Sequence, residues 1–338
     1  MKTRVLIVDD SSLMRRLLTS VLSEDPEIEV VDAAPDPLVA REMIKALNPD
    51  VVTLDVEMPH MDGLTFLRKI MTLRPMPVIM ISTLTQAGAE VTLEALEAGA
   101  VDFVAKPTQA VGPAMAALAE ELRAKVKAAA KTRVRARPAQ LAPKQPQREK
   151  LNRQTNKILM IGASTGGVEA LKALLMDLPS DCPPTLVTQH MPERFTAAFA
   201  SRLDRECPMS VCEATDGQRV QQGCGDGVAW ICRLNDAPPV SGHRPSVDVL
   251  FRSAARLAGS RAIGVILTGM GKDGAEGILE MRKAGASTLG QDEATSLIYG
   301  MPRVAFERGA VERQYPLHEL GSAIIDRCAE RAAVGARP

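Results

Sequence analysis

Three side chains that together can activate a hydroxyl lie in the second half of this chain: Ser164, His190 and Asp273. Ser164 sits in Gly162-Ala163-Ser164-Thr165-Gly166, behind the apolar run 157–161 (KILMI) and ahead of the amphipathic run 168–178. A strand, a glycine-flanked serine and a helix make the layout of a nucleophile elbow, where small flanks allow a sharp turn that lifts the hydroxyl above a sheet edge. The N–H groups after such a serine face the place where an oxyanion forms. Taken alone, the stretch fits equally well a glycine-rich turn that cradles a phosphate. A serine hydroxyl is inert at neutral pH, so the nucleophile reading requires a base elsewhere. His190 follows the run 186–188, and Asp273 follows the run 262–267 and the turn Thr268-Gly269-Met270-Gly271-Lys272. Polar residues beyond the C-terminal ends of parallel strands share one crevice, so the three can form a triad. His190 would remove the Ser164 proton and return it to the leaving alkoxide, while Asp273 fixes the imidazole tautomer. Taken singly, His190 reads as a backbone-bonded strand-end residue and Asp273 as a helix cap; their coincidence at strand ends favours the triad. The chain order Ser–His–Asp differs from the Ser–Asp–His of α/β-hydrolases, so the glycine-serine motif does not place the chain in that superfamily.

A second constellation lies in the first half. Asp9 and Asp10, Asp55, Ser82 and Lys106 each follow a short apolar run. Carboxylates gathered in one crevice repel until one of them takes a proton. An oxygen-seeking divalent cation, most simply Mg²⁺, would neutralise them, and Lys106 adds a further positive charge.

The elements that must position these residues can be read from periodicity. Runs at 5–8, 29–32, 51–54, 78–81 and 102–105 are β-branched and apolar, and helical patterns at 12–22, 38–47, 64–73 and 87–98 separate them. Such alternation implies an α/β unit with a parallel sheet covered on both faces. A further α/β unit begins at 157. Between them, nearly every charged residue from Arg123 to Arg153 is basic, and Pro138, Pro143 and Pro146 interrupt the chain. Residues 115–130 still read as an alanine-rich helix; the remainder reads as a flexible linker. The expected organisation is therefore 1–122, a linker at 123–154, and 155–338.

Composition narrows the class. Lys plus Arg and Asp plus Glu both number 41, so no global charge draws the chain to nucleic acid or to an anionic membrane. The six cysteines form no C-x-x-C pair, and reduced thiols are the default reading. No apolar stretch approaches the roughly 18 residues of a membrane span. A soluble, cytoplasmic, monomeric enzyme is expected.

Both halves resemble known families. Asp9-Asp10, Asp55 followed by Met58-Pro59 and Asp62-Gly63, Ser82 and Lys106-Pro107 resemble the response-regulator receiver domain, a five-stranded flavodoxin-like fold. That resemblance implies that Asp55 accepts a phosphoryl group from a histidine kinase. Asp9, Asp10, Asp55 and the Glu57 carbonyl would hold Mg²⁺, Ser82 and Phe103 would be switch residues, and Lys106 the phosphoryl contact. The stretches 161–167 (IGASTGG), 188–192 (TQHMP), 243–251 (HRPSVDVLF), 265–274 (VILTGMGKDG) and 300–303 (GMPR) resemble the chemotaxis methylesterase family CheB, a doubly wound, mostly parallel α/β domain. The resemblance implies hydrolysis of γ-glutamyl methyl esters on methyl-accepting chemotaxis receptors, deamidation of receptor glutamines, and a chemotaxis histidine kinase as phosphodonor. It places Thr165 and the Met270 backbone near the triad and the oxyanion. One departure stands out: the segment 221–230 is shorter than the family pattern by about a dozen residues, an estimate from strand lengths, and its expected effect is weaker substrate docking.

The receiver is expected to restrain the esterase until Asp55 is phosphorylated. A catalytically weakened regulator acting as a phosphoryl sink or scaffold is the competing reading. A DNA-binding effector is disfavoured by the size and α/β character of the second half.

Overall fold

The computed structural model describes residues 1–59, 61–83, 85–106, 113–132, 134, 155–220 and 230–329. Pro107, most of the linker and the shortened segment at 221–229 lie outside the described residues. The chain divides into two compact units, each built on its own five-stranded sheet.

The N-terminal unit alternates β1 (Thr3–Val8), α1 (Ser12–Ser23), β2 (Ile28–Ala34), α2 (Pro37–Leu47), β3 (Val51–Asp55), α3 (Gly63–Leu73), β4 (Val78–Ser82), α4 (Gln86–Glu97), β5 (Asp102–Ala105) and α5 (Pro113–Ala129). Its strand order is β2-β1-β3-β4-β5, and every pairing is parallel. Parallel strands need crossover helices on both faces, which is why β3 and β4 are buried from end to end. Local chemistry sets the helix starts. Asp36 accepts from the N–H groups of Leu38 and Val39 with Pro37 in the first turn, and Asp62 caps α3 through Thr65 N–H. Helix α5 continues to Ala129, past residue 122 where the sequence reading begins the linker. Val126 and Ala129 are fully buried, and Lys127 pairs with Asp25 and Glu27, so packing carries the helix on.

The C-terminal unit comprises β6 (Ile158–Ala163), α6 (Gly167–Asp177), β7 (Thr185–Gln189), α7 (Glu193–Glu206), α8 (Val247–Leu257), β8 (Ala262–Ile266), α9 (Ala275–Lys283), β9 (Ser287–Gln291), α10 (Met301–Glu307), β10 (Arg313–Tyr315) and α11 (Leu317–Ala329). The order is β10-β9-β8-β6-β7, again parallel throughout. The order reverses direction at β6 and β8, which sit side by side at the centre, so the crevice beyond their C-terminal ends is the topological switch point where α/β sheets bind ligands. One face of the sheet packs on α8 and α9 through Val247, Phe251, Ile278 and Met281, all fully buried.

Candidate active site

Ser164 follows β6, His190 follows β7, and Asp273 follows β8 by way of the turn from Thr268 to Lys272. The geometry brings all three together. His190 Nδ1 lies 3.1 Å from Ser164 Oγ, and His190 Nε2 lies 2.7 Å from Asp273 Oδ2. A carboxylate only accepts, so Nε2 carries the imidazole proton and Nδ1 is left as an acceptor facing the Ser164 hydroxyl.

The turn that presents Ser164 differs in detail from a strained serine elbow. The left-handed residue is Gly166, with φ of 77°, whereas Ser164 has negative φ. Gly162, on the other flank, leaves no room for a side chain: a Cβ there would lie 2.2 Å from Val247 Cγ1. The glycines thus carry the close approach and the backbone reversal, and the nucleophile candidate stays relaxed.

Asp273 is buried and receives more than the imidazole. Oδ2 accepts from Val247 N–H at 2.6 Å, and Oδ1 accepts from Ser246 Oγ–H at 2.9 Å and Asp248 N–H at 3.2 Å. These donors surround the N-terminus of α8, where the helix dipole favours an anion. Burial alone would raise the Asp273 carboxyl; the hydrogen bonds from His190, Val247 and Ser246 outweigh it and hold the group at about 2. Asp273 is therefore ionised whenever His190 can act as a base.

Thr268 ties the neighbouring turns together. Its carbonyl accepts Ser164 N–H at 3.0 Å, its hydroxyl donates to Thr165 O at 3.0 Å, and Gln291 Oε1 accepts its N–H at 2.8 Å. Gly269 N–H is committed to Ile298 O at 3.0 Å. With the Ser164 and Gly269 N–H groups engaged, an oxyanion at this site must find its donors elsewhere. Thr165, buried, and Met270, half-buried, are the two residues expected there, and both adjoin these turns.

In the N-terminal unit Asp9, Asp10 and Asp55 bring carboxylate oxygens within 4.8 Å of one another. Lys106 Nζ lies 2.8 Å from Asp55 Oδ2 and 3.1 Å from Asp9 Oδ2. Burial pushes the Asp55 carboxyl up to about 6; the Lys106 ammonium opposes this and the Asp9 carboxylate adds to it. At Lys106 burial acts downward, but the two carboxylates outweigh it and raise the ammonium. A donor set of hard oxygens, two of its carboxylates buried and Asp10 exposed, with one carboxyl near protonation, fits a divalent cation. Glu57 lies beside the cluster, its N–H 3.4 Å from Asp55 Oδ1. Ser82 Oγ, fully buried, accepts from Thr92 Oγ1–H at 2.7 Å and lies 3.4 Å from the Gly88 carbonyl. Phe103 is buried, with Lys125 Nζ 5.4 Å from its ring centroid.

Two features of the Ser-His-Asp site escaped the sequence reading. His243, placed there only in a polar loop, stacks on His190 with ring centroids 3.7 Å apart and planes inclined by 12°. The Ser246–Asp248 corner supplies the anchor for Asp273. Both belong to the stretch 243–251, so the signal was present as a motif, but a motif carries no contact partner.

A receiver-type phosphoacceptor pocket in one unit and a Ser-His-Asp site in the other, joined in one chain, define a response regulator with a hydrolase effector. Residues 5–112 match the response regulator receiver domain and residues 159–324 match the CheB methylesterase family. The protein-glutamate methylesterase/protein-glutamine glutaminase 1 of Caulobacter vibrioides is 57% identical over 343 residues, covering 98% of this chain and 99% of that protein. The corresponding proteins of Rhizobium etli (56% identical, 97% of both chains) and Chromohalobacter salexigens (52% identical, 96% of both) are similar throughout. The chain belongs to the CheB methylesterase family of response regulators.

The Asp55 shift has a consequence for stability. A carboxyl whose folded value of about 6 exceeds its ordinary 3.8 favours folding while protonated. That contribution is full below the ordinary value and is lost as pH rises through about 6. In chelator, the stability of the wild-type receiver unit relative to Asp55→Asn should fall between pH 4 and 6.5 by on the order of 2 kcal/mol. Thermal melts across that range measure it. Millimolar Mg²⁺ should stabilise the wild type more at pH 7.5 than at pH 5, and a flat difference between the two proteins would refute the assignment.

Proposed function

We propose that this chain is a phosphorylation-controlled protein-glutamate methylesterase and protein-glutamine glutaminase acting on chemotaxis receptors. The observation that carries the reading is the continuous line Ser164 Oγ–His190–Asp273, with links of 3.1 and 2.7 Å, in a chain 57% identical to a protein of that name along almost its whole length.

Ser164 Oγ attacks the γ-carbonyl carbon of a glutamyl methyl ester as His190 Nδ1 takes its proton. The carbonyl oxygen becomes an oxyanion, stabilised by N–H groups at Thr165 and Met270. Collapse expels methoxide, which leaves as methanol with the proton from His190, and a glutamyl-serine ester remains. Water then attacks this ester while His190 removes its proton; the serine departs reprotonated, and a free glutamate is released. A glutamine side chain follows the same course with ammonia as the leaving group. Throughout, Asp273 keeps the Nε2–H tautomer and stabilises the transient imidazolium. Asp248 and Ser246 act only by holding Asp273.

In the receiver Asp55 takes the phosphoryl group from a chemotaxis histidine kinase, and Lys106 contacts it. Asp9, Asp10, Asp55 and the Glu57 carbonyl would hold Mg²⁺, which would neutralise charge on the phosphoryl oxygens. Ser82 and Phe103 carry the switch. Ser82 must exchange its Thr92 contact for the phosphoryl group, and Phe103 must repack within its buried site. No helix among the described residues is long and apolar enough to cross a membrane.

Methanol release from methylated receptor membranes tests the chemistry. Ser164→Ala, His190→Ala and Asp273→Ala should each lower the rate by roughly a thousand-fold or more, with double variants little worse than single ones because the triad acts as a unit. Near-normal turnover by Ser164→Ala would overturn the nucleophile assignment. A small-molecule phosphodonor should raise the wild-type rate and leave Asp55→Asn at its basal rate. Equal stimulation of both proteins would show that control does not run through Asp55.

A further inference from the structure

Gln189 is the last residue of β7 and is only 9% exposed, yet it is not part of the triad. Its Nε2 donates to the Ser164 carbonyl at 2.9 Å and to the His190 carbonyl at 3.0 Å. A side-chain amide carries two N–H bonds, so each carbonyl receives one. The reverse orientation of the amide would set its oxygen against both carbonyls. Oε1 instead lies against Gly167, where a Cβ would approach to 2.1 Å, and it is buried without a hydrogen-bond partner. The second glycine of the Gly166-Gly167 pair is thus the socket for this oxygen.

We propose that Gln189 is a positioning residue for the esterase: its amide joins the main chain at the nucleophile to the main chain at the base and fixes the Ser164–His190 separation. The role exists only if Ser164 and His190 act as described above. An unpartnered buried oxygen destabilises the fold, and a methionine of similar shape would fill the same space without it. What the amide adds is the pair of donors. They join the carbonyls of two residues 26 positions apart whose side chains must stay within hydrogen-bond reach. The backbone between these strand ends supplies one further link, His190 N–H to Ala163 O at 3.1 Å. That bond does not reach the Ser164 carbonyl, which Gly167 N–H at 2.6 Å holds within its own turn; the Gln189 contact ties that carbonyl to the end of β7.

The test uses full-length protein with phosphodonor and methylated receptor membranes. Gln189→Met should lower kcat about ten-fold or more while KM stays within about two-fold, because misplaced reacting groups slow chemistry without altering docking. Labelling of Ser164 by a fluorophosphonate, which needs no receptor, should slow in parallel. Gln189→Glu differs by one donor group: neutral, it offers one O–H; ionised, it offers none and repels both carbonyls. Its kcat should decline at alkaline pH where the wild type holds a plateau, a signature that packing alone does not produce. Should Gln189→Met fail to fold, this profile decides the question. A Gln189→Met kcat within about two-fold of wild type, or a Gln189→Glu profile matching wild type, overturns the role. Ser164→Ala run alongside separates the two levels: if it is inactive while Gln189→Met is normal, only the positioning role fails. If it remains active, the esterase assignment fails with it.

Discussion

The carboxylate of Asp273 is the constraint around which the esterase unit is arranged. An ionised group with no exposure is tolerable only when every lone pair is met. Here His190, Ser246 and the N–H groups of Val247 and Asp248 meet them. The same bonds that make the burial possible dock the N-terminus of α8 beside the end of β8 and aim the imidazole at Ser164. Structural and chemical requirements coincide in one group, so the anchor of the fold is also the group that orients the base.

The receiver solves the same problem with a different balance. Asp9 and Asp55 are as deeply buried as Asp273, but they share one ammonium and receive a single backbone N–H each, from Ser11 and Glu57. Asp55 is left with a raised carboxyl where Asp273 has a depressed one. The contrast suits the two tasks. In the proposed roles, a carboxylate that orients a base must stay ionised, whereas one that takes a phosphoryl group is served by incomplete compensation that a cation and a ligand can complete.

Much of this was legible in the residues. Strands β3 and β4 are short apolar runs buried along their whole length, and a run of that kind buried on both faces has few alternatives to a parallel sheet. Ser164, His190 and Asp273 were found because the ends of parallel strands converge. Strands β9 (STLGQ) and β10 (RQY) were missed, since short segments of small and polar residues carry no apolar period, whether inside the sheet as β9 is or at its edge as β10 is. His243 was missed because stacking is a contact between loops with no sequence spacing. The flanking glycines were expected to carry the sharp turn at Ser164, and Gly166 does so with its left-handed φ. The alanine-rich pattern at 115–130 was read as a helix and α5 runs Pro113–Ala129, so here only the domain boundary drawn at 122 cuts through an element.

The triad joins points 26 and 83 positions apart, and its anchor at Val247 lies 26 positions before Asp273. No local segment holds even two of its members in register. During synthesis, contacts of such sequence separation form only after the central strands have associated. A nascent or partly unfolded chain therefore exposes an ordinary serine with the reactivity of any other hydroxyl. Hydrolytic power arrives with the completed sheet and vanishes with it, so a damaged molecule falls silent before it can turn on neighbouring proteins.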